Sequence, residues 1–251
     1  MRNCILSIIL CACCLCSCSV KEDRAGCPCI LDLTLSGGAD SKVTVAVWGG
    51  GLQHREEINT YDGNRHHECE IARGRFTLSA CSGLRHSLGP EGRLVLSKGE
   101  EMDEIYADAC LLDAVEERVS ASVSLHKEYA QVNITLLCLK EDMPQAIVLK
   151  GNVCGLDLLD LSPLDGEYER SLVPIVGEYC RAAVPRQKDD SLVLTIGDGG
   201  DFPIGKYIAA AGYDWSAPDL KDIFIDIDLI DFEVSLRIAD WADVETFELI
   251  I

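Results

Sequence analysis

From residue 30 onward the chain is a succession of short runs in which apolar and polar residues alternate, each ended by Gly, Pro or Asp. A period of two puts every second side chain on one face of an extended segment, whereas an amphipathic helix needs a period near 3.6. Residues 30–35 place Leu31, Leu33 and Leu35 on one face before Gly37-Gly38 breaks the run. Residues 43–48 resume it with valines, then stop at Gly49-Gly50-Gly51. Residues 119–125 alternate apolar residues with serine, and 132–136 repeat the pattern after the charged bridge His126-Lys127-Glu128-Tyr129. Further short runs, bounded by Gly, Pro and Asp and not all alternating, cover 147–149, 192–196, 207–213, 223–229 and 232–238. Helical spacing is confined to a weak trace at 153–161. The fold class expected is therefore all-β, and regular short strands with this punctuation predict β-sandwiches. The charged bridge divides the chain into a unit at 27–126 and a second at 127–251.

Ahead of the strands stands a different kind of segment. Residues 4–15 form an apolar run too short to span a bilayer as a helix. Leu15 at −3, Ser17 at −1 and Cys18 at +1 form the pattern of a lipoprotein signal peptide, so residues 1–17 read as a removed leader. Cys18 would carry a diacylglyceryl group and residues 18–26 would form a polar tether. Each buried methylene contributes about 0.8 kcal/mol and stable anchoring takes two chains, which one diacylated cysteine supplies. The formal net charge of −20 repels phosphate backbones and argues against nucleic acid as a partner.

Of the 14 cysteines, those after Cys18 are Cys27, Cys29, Cys69, Cys81, Cys110, Cys138, Cys154 and Cys180. Most read as small core thiols. Residues 68–81 read as a hairpin around Ala72-Arg73-Gly74-Arg75, which would put Cys69 and Cys81 on its two arms as the candidate disulfide pair. No metal site is expected. Cys27-Pro28-Cys29 lacks the two-to-four-residue spacing of a zinc pair, and the neighbours His66 and His67 would point to opposite faces of a strand. The late acids Asp219, Asp222, Asp226, Asp228 and Asp231 read as a solvated face, and the loop from Gly197 to Asp201 lacks calcium-loop spacing. Gly49-Gly50-Gly51 is a turn, because no Gly-Lys-Ser/Thr follows. No nucleophile elbow, zinc-protease helix or dinucleotide fingerprint occurs, and the Phe, Trp and Tyr residues do not cluster. Neither an enzyme nor a cofactor is expected.

The residues from Cys18 to Arg24, followed by Cys27-Pro28-Cys29 and the alternating leucine strand, resemble the start of the FimB-type fimbrial anchor subunits of Bacteroidales pili. Residues 202–215, Leu220-Lys221-Asp222-Ile223 with Ile227-Asp228, and residues 238–241 are similar to the later part of that family. The resemblance implies two transthyretin-like β-sandwich domains and a pilus subunit held in the outer membrane, at the cell surface, through lipid on Cys18. Lys21-Glu22-Asp23 resembles the signal that such bacteria use to bring lipoproteins to the surface. In this family a shaft subunit loses its first strand and receives the last strand of its neighbour, whereas an anchor keeps both lipid and first strand. The partners implied are other fimbrial subunits.

The chain's last residues bear on this. Residues 244–251 put Phe247, Leu249 and Ile251 on one face. An apolar strand needs a cover, either its own sheet or a neighbour's groove. The second option makes Phe247, Leu249 and Ile251 the residues of a donor strand. A surface lipoprotein binding glycan or a host protein is the alternative reading of the whole chain, and a secreted hydrolase is the most distant.

Overall fold

The computed structural model describes residues 27–38, 42–60, 65–139, 144–175, 178–197, 200–231, 233–239 and 245–248. The leader, Cys18, the Lys21-Glu22-Asp23 signal, Leu249 and Ile251 lie outside the described residues. The described chain is mostly strand. In order it runs β1 (Cys29–Gly37), β2 (Lys42–Trp48), β3 (Leu52–Asn59), β4 (His66–Ile71), β5 (Gly74–Ser82), β6 (Arg93–Val95), β7 (Tyr106–Ala114), β8 (Arg118–Lys127) and β9 (Tyr129–Leu137). Then come β10 (Ile147–Asp157), β11 (Pro163–Leu172), β12 (Cys180–Pro185), β13 (Val193–Ile196) and β14 (Asp201–Phe202). A short helix, α1 (Ile204–Ala210), precedes β15 (Ile223–Asp228), β16 (Glu233–Ile238) and β17 (Glu245–Glu248). Among the described residues no helix is long and apolar enough to cross a membrane.

The first eight strands, β6 excepted, form one seven-stranded ladder in the order β3-β2-β5-β7-β8-β1-β4. Its middle joint is narrow: β7 and β8 pair only at Tyr106 with Lys127 and at Ala107 with His126. The ladder therefore falls into two sections that line one core, filled by Leu31, Leu33, Leu35, Val43, Val45, Val47, Leu78, Val123 and Leu125. The period-two pattern is what places these residues. On β1 every second residue from Cys29 to Leu35 is buried. Gly37 ends that strand at φ 70°, where a Cβ would stand 2.3 Å from the carbonyl oxygen of Leu125, so both conformation and space demand glycine.

A five-stranded sheet (β11-β10-β13-β14, with β6 beside β10) and a second one (β12-β9-β15-β16-β17) contribute to the other core. Ile134, Ile147, Leu149, Leu156, Leu192, Ile223, Ile225 and Ile227 lie in it. β15 turns its isoleucines inward and leaves Phe224, Asp226 and Asp228 half-exposed, as the alternation requires. Leu94, Leu96, Met102 and Ile105, from well before residue 127, also belong to this core, and β6 pairs with β10 from Arg93 to Val95. At the bridge itself, the Glu128 carboxylate accepts a 2.9 Å bond from Arg186 Nε, with only 3% and 11% of the two side chains exposed. Arg186 also donates to the carbonyls of Trp215, Ala217 and Pro218, while Lys127 meets Asp222 and His126 meets Asp219 at 3.1 Å.

Three expectations need correction. The helical trace at 153–161 begins in β10, whose pairing with β11 shifts register on both sides of Val153. Those irregularities leave Val153 and Leu156 both buried three residues apart, which imitates a helix. The run 207–213 is not a strand: α1 covers its start, with Ile204 and Ile208 buried on one face four residues apart and Pro203 before the first turn. The hairpin over 68–81 does not form either. β4 pairs with β1, whereas β5 pairs with β2 and β7. Between them the chain crosses from one section to the other, pinned by Arg73, which donates from Nε to the Cys27 carbonyl at 2.9 Å. Cys69 packs against the first core and Cys81 lies in the second, and both are free thiols.

Candidate functional site

The strand-exchange expectation rests on the first and last described strands, and the fold treats them differently. β1 is an interior strand. It runs parallel to β8 from Ile30 opposite Arg118 to Gly37 opposite Leu125, and antiparallel to β4 from Cys29 opposite Ile71 to Thr34 opposite His66. Both of its edges carry ladders, and Cys29, Leu31 and Leu33 are fully buried. Taking β1 away would leave an apolar slot between β4 and β8, so the chain's own first strand already fills the place where a partner strand could add.

β17 is an edge strand. Among the described residues it pairs with β16 alone, with Glu245 opposite Leu236, Phe247 opposite Val234 and Glu248 opposite Glu233. Residues 245–248 therefore occupy the first of the two covers foreseen for an apolar terminus, their own sheet. Their ladder is four residue pairs long, against eight for β1 on β8.

Histidines, carboxylates and a thiol converge elsewhere. β3 and β4 are the two ends of the seven-stranded ladder, and they face each other without a backbone pairing. His54 and Glu56 on β3 stand opposite Val47 and Val45, so they share the inward face. His67 and Cys69 on β4 stand opposite Leu33 and Leu31 and share it too. Glu56 Oε2 lies 3.1 Å from His67 Nε2 and 3.5 Å from His54 Nε2. Donor atoms of His54, Glu56 and Cys69 all lie within 4.8 Å of one another. Partial burial pushes the Glu56 carboxyl up, but the His67 hydrogen bond and the two imidazoles outweigh it and hold the group below its ordinary value. Burial, with the Glu56 charge behind it, pushes the Cys69 thiol up to about 11. His66 points the other way, to Asp32 at 3.1 Å, so the two neighbouring histidines do occupy opposite faces. The single-strand pattern gave no hint of this cluster, because it arises only when two distant strands meet.

A carboxylate–imidazole pair occurs at His86 and Asp103, 2.6 Å apart. Asp103 also accepts the backbone amides of Arg85 and His86, and the far ring nitrogen of His86 faces Glu100 at 3.9 Å rather than a hydroxyl or thiol. That arrangement fixes a loop and activates no nucleophile.

No protein-family model and no curated protein matches the chain. Solved structures do. A candidate polysaccharide-binding protein from Bacteroides thetaiotaomicron superposes with a TM-score of 0.62 at 17% identity, over 88% of this chain and 98% of that one. The fimbrial anchor protein Mfa2 from Porphyromonas gingivalis gives 0.58 at 11% identity, over 86% and 98%. The fold is one shared by fimbrial and adhesin proteins of this bacterial group. A candidate adhesin from Bacteroides ovatus gives 0.58 at 11%, over 92% and 98%. None of the three is named as an enzyme, and in each case nearly the whole of the other chain is matched.

Proposed function

We propose that this chain is a lipid-anchored fimbrial subunit, the anchor that holds a pilus to the outer membrane and ends its assembly. The observation that carries the reading is β1: a first strand buried on its inner face and laddered on both edges, in a fold shared along nearly its whole length with a fimbrial anchor protein. An anchor needs no incoming strand in that slot. It needs attachment instead, which the Leu15–Cys18 pattern supplies, with Lys21-Glu22-Asp23 directing the lipoprotein to the surface. Its two units, 27–126 and 127–251, are read as transthyretin-like sandwiches, and its partners are other fimbrial subunits. The terminal residues 244–251, with Phe247, Leu249 and Ile251, are read as the strand it offers to its neighbour.

The test is the native N-terminus on cells. Mass spectrometry should find a diacylated Cys18 on a chain that still contains β1, and Cys18→Ala should release the protein and its pili into the medium. A native chain trimmed at an internal arginine, or a variant that stays in the membrane fraction, would reject the anchor role. Surface lipoproteins that bind glycan or a host protein remain the competing class, supported by the first of the structural likenesses. That class requires lipidated Cys18 without loss of pili in the variant.

A further inference from the structure

We infer that His54, Glu56 and Cys69, with His67 holding the Glu56 carboxylate, form a binding site for a zinc-class divalent cation that joins the two ends of the seven-stranded ladder. The four residues come as two pairs, each spaced by two on a strand, so both members of a pair face the same way. β3 presents His54 and Glu56, and β4 presents His67 and Cys69 across a gap that no backbone ladder closes.

The donor chemistry selects the cation. Calcium and magnesium take oxygen ligands, whereas an imidazole, a carboxylate and a thiol match the borderline softness of zinc. Metal–ligand distances of about 2.0–2.3 Å put tetrahedral ligands roughly 3.3–3.8 Å apart. Glu56 already lies at 3.5 Å from the His54 imidazole, and the 4.8 Å limit on the His54, Glu56 and Cys69 donors leaves little more than side-chain adjustment to make. A second observation points the same way. His54 Nε2 is buried and meets the Glu56 carboxylate at 3.5 Å without hydrogen-bond geometry, which leaves its lone pair or proton poorly satisfied. By contrast, the outer cluster of Asp32, His66 and Glu68 is already bridged by Arg118, at 3.4 Å from Asp32 and 2.5 Å from Glu68, and its charge is met. Inward charges also guard sheet edges against unwanted pairing, but that duty does not call for a thiol beside two imidazoles. Three protein ligands leave the fourth tetrahedral position to water. The cation fastens β3 to β4 where backbone hydrogen bonds do not.

The full chain, stripped with a chelator and kept reduced, should bind one equivalent of Zn²⁺ and melt at a higher temperature with it. Co²⁺ in its place should give a tetrahedral spectrum with thiolate-to-cobalt absorption. Cys69→Ala should lose that absorption, and His54→Ala should weaken Zn²⁺ binding at least tenfold while keeping the circular dichroism of the parent. Cys27→Ala, which removes the exposed cysteine of the Cys-Pro-Cys run, should change neither. Absence of stoichiometric binding, or binding that survives both His54→Ala and Cys69→Ala, or binding lost with Cys27→Ala, would overturn the assignment.

Discussion

Cys81 follows Ala80 on β5, and the two side chains enter different cores. Burial, the leading cause, pushes the Cys81 thiol up to about 12. In the unfolded chain the same thiol ionises near about 8.5. The folded state therefore keeps its proton while the unfolded state loses it, and the stability tied to that proton is complete below pH 8.5 and drains away as pH rises towards 12. Urea midpoints should fall between pH 8 and pH 10.5, with Cys81 contributing about 2 kcal/mol of the loss. Cys81→Ala should flatten that dependence; an unchanged slope would show that the thiol is not held protonated. Arg186 is a second residue with a measurable duty. It neutralises a Glu128 carboxyl that burial pushes up and that Arg186 draws back. Arg186→Ala leaves a buried, unpaired carboxylate and should cost about 3–5 kcal/mol in equilibrium unfolding. A loss below 1 kcal/mol would mean that the pair is solvated.

At the scale of elements, alternation was enough to read β1, β2, β8, β9 and β15 and the faces they bury, because a period of two is local chemistry. Pairing was not readable. Ala72-Arg73-Gly74-Arg75 has the composition of a hairpin turn, yet it carries the chain between two sections, and nothing within 68–81 records that β4 belongs beside β1. The same non-local step hid the site between β3 and β4: His54-x-Glu56 and His67-x-Cys69 are unremarkable runs until the ends of the ladder meet. β10 misled for a different reason, since its bulges displaced the apolar period. α1 was hidden because residues 207–213 are a short apolar run bounded by Gly and Asp, which periodicity alone cannot assign to helix or strand. The last strand gives a prediction of its own. β17 adds one short edge ladder to a sheet whose centre is β9, β15 and β16, so deletion of residues 244–251 should leave the protein folded, with an unfolding midpoint near that of the parent. Under the anchor reading the same deletion should shed pili from cells that retain the lipoprotein. Pili retained at parental levels would remove the donor-strand role from Phe247, Leu249 and Ile251.

For the whole molecule, the notable feature is the passage of residues 84–105 out of the first ladder and into the second core. Leu94, Met102 and Ile105 are completely buried there. A fragment of residues 27–126 would expose them, and it should bind a hydrophobic dye and associate in size-exclusion chromatography, whereas the full chain does neither. A monomeric fragment with a sharp thermal transition would show that this segment can be covered without the second core. Residues 27–126 hold 16 acidic and 9 basic residues, a net charge of −7 that should make the fragment's association increase with ionic strength.

The parallel register of β1 on β8 has a mechanical meaning. The chain enters β1 at the end where β8 begins, and it leaves β8 at the opposite end, on its way to the second core. In a molecule held at Cys18 and pulled through its second half, the load runs along these two strands in opposite senses. The ladder from Ile30–Arg118 to Gly37–Leu125 is then strained in shear, so its hydrogen bonds share the force and must yield together. An antiparallel partner in the place of β8 would have been peeled open one bond at a time. A tethered strand so arranged resists flow and tugging in proportion to its whole length.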